Sequence, residues 1–135
     1  MSDWIVYLLA AVAAYLLGSI PFGFLVGKMR GVDIRTVGSH NIGATNVYRT
    51  VGKKWGVLAF ACDFLKGLLP VLAARFLVVP ALGGGAAYAH LPLLVGIMTV
   101  VGHMWTCYLG FKGGKTAAAN CQMLCLPCNR AKSDL

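Results

Sequence analysis

An all-α, integral membrane helical bundle with three transmembrane helices is the fold class this sequence predicts, and three observations predict it. Of 135 residues, 59% are apolar and 12% charged, against roughly 45–50% and about 25% in soluble domains. The stretch from Trp4 to Gly27 carries no charged side chain, and two further apolar stretches follow it. Twelve Lys and Arg against four Asp and Glu leave a formal net charge of +8. In so apolar a chain, that balance points to anionic head groups or phosphorylated substrates. An ordinary soluble globule and a disordered chain are both excluded.

The first span, about 4–27, exceeds the roughly 20 residues that cross a bilayer as a helix. Its start, Met1-Ser2-Asp3, lacks the basic residues of a cleaved leader, so it is expected to be retained. Pro21 should bend it near its inner half. The second span, about 55–79, is interrupted by Asp63 and Lys66, and the third, about 86–111, carries His90 and His103. Between them Pro80 and Gly83-Gly84-Gly85 break the helix and predict a tight hairpin of antiparallel spans. Lys28, Arg30, Arg35, Arg49, Lys53 and Lys54 crowd the first connection, while Arg75 stands near the hairpin. The positive-inside rule then puts the first connection and the C-terminus in the cytoplasm, with the N-terminus and the hairpin outside. Small residues at four-residue spacing, Ser19, Gly23 and Gly27 on the first span and Gly102, Thr106 and Gly110 on the third, form ridges suited to close helix contact.

Chemistry concentrates in the first connection, Val37-Gly38-Ser39-His40-Asn41-Ile42-Gly43-Ala44-Thr45-Asn46, followed by Arg49 and Gly52-Lys53-Lys54. Gly38 and Gly43 let backbone N–H groups turn onto an anion, while Ser39, Asn41, Thr45 and Asn46 add neutral hydrogen-bond partners. Arg49 offers a fork matched to phosphate. A phosphate cradle and a polar connector carrying topogenic charge are equally compatible with these residues. The second polar segment, Gly110-Phe111-Lys112-Gly113-Gly114-Lys115-Thr116, has three residues between Gly110 and Gly114, one short of the nucleotide-binding phosphate loop. Its backbone and Lys115 could hold phosphate without being a nucleotide site, or could be an interfacial helix end with snorkelling lysines.

Asp63 and Lys66, three apart, share a helix face and are expected to face the bundle, as a structural ion pair in preference to a catalytic one. His103 is expected to pack or to support the site rather than to act as a base. The three histidines form no metal set. No His is followed five positions later by Asp, and no Gly-x-Ser-x-Gly elbow is present, which speaks against the two familiar acyl-transfer constellations built on them.

Taken together, Gly18-Ser19-Ile20-Pro21-Phe22-Gly23, Val37-Gly38-Ser39 through Asn46, Gly52-Lys53-Lys54, Asp63-Phe64-Leu65-Lys66-Gly67, Gly102-His103 and Phe111-Lys112-Gly113-Gly114-Lys115 resemble the bacterial membrane glycerol-3-phosphate acyltransferases that use acyl phosphate, the PlsY family. The resemblance covers roughly the first 115 residues in order. It implies an enzyme of the bacterial cytoplasmic (inner) membrane that acylates glycerol 3-phosphate from acyl phosphate, giving 1-acylglycerol 3-phosphate and phosphate, the first step of phospholipid synthesis. It implies no cofactor and no metal. It further implies that Ser39, Arg49 and Lys115 act in catalysis, with Arg49 and Lys115 on phosphate. Gly38, Asn41, Gly43, Thr45, Asn46, Gly113 and Gly114 would form the substrate pocket, and Asp63, Lys66 and His103 would support it.

The sequence therefore divides into a membrane acyltransferase-like part, residues 1–115, and a Cys-containing tail, residues 116–135, expected in the cytoplasm. Thr116 stands where the family has a further glycine, and the tail is too short and polar for a fourth span, so the third family motif is not expected here. Residues 120–134, with Cys121, Cys125 and Cys128, resemble the end of an HNH nuclease. The second cysteine pair and the histidine such a nuclease needs are missing, so no nucleic-acid partner is expected. Cys62 and Cys107 lie within spans, and no disulfide is expected. Besides the enzyme, a non-catalytic membrane fragment, a helical assembly partner and a transporter fragment remain open.

Overall fold

A computed structural model describes residues 3–111, and the regular elements among them are all helical. The first apolar stretch forms α1 (Asp3–Gly18) and α2 (Phe22–Met29), together long and apolar enough to cross a membrane. The connection that follows contains a short helix, α3 (Ala44–Thr50). Next, α4 (Lys53–Ala73) continues through a π turn, Ala74–Val78, into α5 (Val79–Ala81). A single turn at Ala86–Tyr88, α6 (Leu91–Met104) and a last turn at Cys107–Leu109 complete the third span. The three candidate spans are Asp3–Met29, Lys53–Ala81 and Ala86–Leu109, within a few residues of the expected ones.

Three details differ from expectation, each for a physical reason. The first span is broken, not merely bent. At the end of α1 the Ile20 N–H donates to the Leu17 carbonyl at 3.2 Å, a tighter closure than a helix uses, and Pro21 has no N–H to continue the ladder. Second, the helix runs past Pro80 to Ala81 because the wide π turn ahead of it takes up the register the missing N–H would interrupt. The hairpin tip therefore falls at Gly83 and Gly84, both at positive φ (91° and 65°). Third, the polar connection is not all loop, since α3 packs along α4 within it.

The close helix contacts are made by Gly18, which neighbours the first ridge, and by Ser19, Gly102 and Thr106 from the ridges themselves. A Cβ on Gly18 would strike the Thr99 backbone, and one on Gly102 would strike the Tyr15 carbonyl, so α1 and α6 meet backbone to backbone. The Thr106 hydroxyl donates to the Ser19 carbonyl across the same seam. Gly23 and Gly27 instead admit the connection, at Ile42 and Ile34, and Gly110 meets nothing within 4 Å among the described residues. Those three do not serve helix–helix contact as their spacing suggested.

Apolar clusters stack along the bundle. Val6, Val79, Tyr88 and Leu91 close one end, Ala14, Ala74 and Val95 the middle, and Val26, Ile34, Ile42, Val47 and Ala59 the other end. Tyr88 donates to the Asp3 carboxylate at 2.6 Å and Tyr7 to the Ala87 carbonyl at 2.7 Å, so the N-terminus and the hairpin share an end. The connection and the last turn share the opposite one, where Leu109 packs against the Ile34–Val47 cluster. Leu8, Val12, Phe60, Phe64, Leu93 and Ile97 face outward, as an apolar belt in contact with lipid requires.

Candidate active site

The connection is held from inside by one side chain. Asn46 is 1% exposed, and its amide nitrogen donates to the carbonyls of Ile34 (2.7 Å), Asn41 (2.8 Å) and Val37 (3.2 Å). Its amide oxygen accepts the Ser39 N–H at 3.0 Å. Buried backbone groups need such partners, and here a single residue on α3 gathers four of them from a segment with no regular structure. Gly38 lets the chain come this close. Its φ is +59°, and a Cβ there would run into Asn46 Oδ1 and lie 2.6 Å from the Thr50 methyl. His40 also takes positive φ, 56°, with Nδ1 3.0 Å from the Arg35 carbonyl. The Asn41 side chain accepts the Gly43 N–H at 3.3 Å, starting α3.

This clasp leaves Ser39, Thr45 and Arg49 exposed on the surface of the connection. Asn46 is turned inward, so its place in a site is to shape the segment that bears them. Replacing Asn46 with Ala should leave buried carbonyls unpartnered and cost about 1–3 kcal/mol for the strongest of them. Limited proteolysis in a bilayer is expected to open residues 34–43 to cleavage while the spans stay intact.

Charge is unevenly spread over this end. Arg35 forks onto Asp33, with Nε donating to Oδ1 at 2.9 Å and a terminal nitrogen to Oδ2 at 2.7 Å. Of the other acids among the described residues, Asp3 pairs with Tyr88 and Asp63 with Lys66. Lys28, Arg30, Arg49, Lys53 and Lys54 thus have no carboxylate partner among the described residues, although Arg30 lies over the Trp55 ring at 4.8 Å. Surplus positive charge of this kind favours anions.

The hydrogen bonds from the Arg35 side chain and backbone hold the Asp33 carboxyl down at about 2, from its ordinary 3.8. A depressed folded value means that Asp33 stabilises the turn fully above its ordinary value and loses that contribution as pH falls from about 4 toward 2. The protection factors of the amides at residues 33–36, each rate taken relative to the intrinsic rate at the same pH, should therefore be flat from neutral pH to about 4 and fall below it, and Asp33→Asn should remove the dependence.

Inside the bundle, the expected pair forms. Lys66 Nζ lies 2.5 Å from Asp63 Oδ1, with the two side chains 6% and 15% exposed. The pairing residues that sequence did not supply are His103, whose Nδ1 is 3.8 Å from the same oxygen, and the Ile20 carbonyl, which accepts from Lys66 Nζ at 2.7 Å. Asp63, Lys66 and His103 border a cleft of about 370 Å³ together with Gly43, Thr45, Phe60 and Thr99. Ser39, Asn41 and Arg49 are not among its lining residues. Thr99 escaped the sequence reading, although it lies one helical turn before His103, the spacing that shares a face. Lys115, Gly113 and Gly114, and the tail cysteines Cys121, Cys125 and Cys128, lie outside the described residues, as does the boundary at 115/116.

A broken first span, two further apolar helices and a clasped basic loop at one end define a multi-span membrane protein with its polar chemistry gathered at one face. The sequence model of the family described as glycerol-3-phosphate acyltransferase matches residues 8–129, and the chain belongs to that family. The match continues past 115 into the cysteine-bearing tail. A glycerol-3-phosphate acyltransferase of Geobacter metallireducens is 50% identical over 114 residues, 84% of this chain and 55% of that protein. One of Aquifex aeolicus is 49% identical over 111 residues, 82% of this chain and 54% of its own length. A solved structure of PlsY, an integral membrane glycerol 3-phosphate acyltransferase, in its glycerol 3-phosphate form superposes with a TM-score of 0.68 at 48% identity, covering 81% of this chain and 51% of that one. Its lysophosphatidic acid form gives 0.67 at 46%. The chain spans about half the length of the curated relatives it matches.

Proposed function

We propose that this chain contributes the glycerol 3-phosphate and acyl phosphate site of an acyltransferase, at the cytoplasmic face of the bacterial inner membrane, with its N-terminus on the far side. The glycerol hydroxyl attacks the acyl carbonyl, the bond from that carbonyl to phosphate oxygen breaks, and 1-acylglycerol 3-phosphate and inorganic phosphate leave. Arg49 and Lys115 hold phosphate, and Ser39 orients the substrate. Gly38, Asn41, Gly43, Thr45 and Asn46, with Gly113 and Gly114, shape the pocket, while Asp63, Lys66 and His103 support the spans beneath it. An acyl phosphate is already activated, so orientation and charge neutralisation do most of the work. A substrate phosphate oxygen takes the hydroxyl proton, in keeping with the lack of a His–Asp base pair among the loop residues.

The observation that carries this reading is the Asn46 clasp, which presents Ser39 and Arg49 outward on a basic end of the bundle. Leu109, six positions before Lys115, packs against the same end. The test is phosphate release from acyl phosphate in the presence of glycerol 3-phosphate, by the chain in bilayers, alone and co-expressed with the C-terminal half of a relative. Turnover in either arrangement is expected, and its absence from both would sink the enzyme reading.

A further inference from the structure

The break in the first span leaves a polar group that the proposed reaction does not use. Ser19 is wholly buried, and its hydroxyl oxygen has no hydrogen-bond partner among the described residues, while its backbone groups are both engaged. The Ser19 N–H donates to the Tyr15 carbonyl at 2.9 Å, and its carbonyl accepts from Thr106. Ser19 lines a small cavity of about 10 Å³ whose polar wall is completed by Asp63, Lys66, His103 and Thr106. That volume is on the scale of one water, and a water is retained where two to four polar partners surround it.

From this we infer that the break between α1 and α2 binds one internal water, donating to the Asp63 carboxylate and exchanging a hydrogen bond with the Ser19 hydroxyl. The charges around the cavity choose the ligand. Lys66, 2.5 Å from Asp63, disfavours a metal cation, and Asp63 disfavours an anion, so a neutral molecule with both donor and acceptor capacity fits. A carboxylate offers more acceptor positions than one ammonium fills, and Ser19 stands at the end of α1 where the helix ladder stops. The water would join the broken span to the Asp63–Lys66 pair, alongside the direct bond from Lys66 to the Ile20 carbonyl. It rests on the packing of the spans alone and stands whether or not the chain turns over acyl phosphate.

The test is a crystal structure of the full chain in a lipid mesophase at resolution sufficient to place waters. It is paired with water-to-amide magnetisation transfer at Ser19 and Ile20 in wild type and Ser19→Ala. Expected are one density peak within hydrogen-bond distance of Ser19 Oγ and Asp63, a persistent water signal at these amides, and loss of both in Ser19→Ala with the Thr106 bond retained. A cavity without density and without a water signal in the wild type would overturn the inference. So would a Ser19 hydroxyl turned onto the Tyr15 carbonyl, or a peak that proves to be an ion. If Ser19→Ala does not fold, the wild-type density and water signal decide the matter alone.

Discussion

Lys66→Met is expected to destabilise the bundle by about 3–5 kcal/mol, because it strips a buried carboxylate of its counter-charge. Lys66 does two things at once: it pairs with Asp63 at 2.5 Å and closes the Ile20 carbonyl at the break at 2.7 Å. The two contributions separate in a double variant. Asp63→Leu combined with Lys66→Met removes both charges, and replacing a buried pair by apolar residues is often neutral. Most of the loss should then return. What stays lost reports the bond to Ile20, about 1.5–3 kcal/mol for a hydrogen bond from a charged donor, less whatever the Phe22 N–H, 3.1 Å from the same carbonyl, can retain. Unfolding in mixed micelles measures all three. A single variant no weaker than the double one would show that the carboxylate finds another partner.

The second large effect concerns activity. Arg49→Ala should lower kcat/KM for acyl transfer by about 10²–10³-fold, the range for removing one preorganised donor from a site where charge develops. Arg49→Lys should restore only part of it, since an ammonium keeps the charge and loses the two-pronged geometry. Because Arg49 is exposed and has no carboxylate partner among the described residues, stability should hardly change in either variant. A melting temperature that falls with activity would make Arg49 a structural residue instead.

How much of this was legible in the sequence varies with the range of the interaction. The three spans could be read directly, since each is a run of apolar residues long enough to cross a bilayer. The Asp63–Lys66 pair was legible because its spacing, i to i+3, fixes a shared face on any helix. The contact of His103 with Asp63 joins two different spans, and no local pattern encodes which faces meet. Pro21 announced a disturbance, but the side chain that closes the Ile20 carbonyl there is Lys66, 46 positions beyond Ile20. The short α3 escaped because Ala44–Thr50 mixes β-branched and polar residues with weak helix preference. It is stabilised by burying Val47 against Ile34 and Ala59. Asn46 illustrates the same limit: its residue type suggested contact with a ligand, whereas four backbone partners drawn from residues 34–41 turn it inward.

The bond between Lys66 and Ile20 also bears on the order in which the protein enters the bilayer. The first span emerges from the ribosome well before the lysine that satisfies its interrupted carbonyl exists as a finished helix. Until then, that carbonyl has only the Phe22 N–H of its own span as a donor, and a position near water or the insertion channel supplies the second partner that hydrocarbon cannot. The first span should therefore settle at full depth only after the second has joined it, making the two a single unit of assembly.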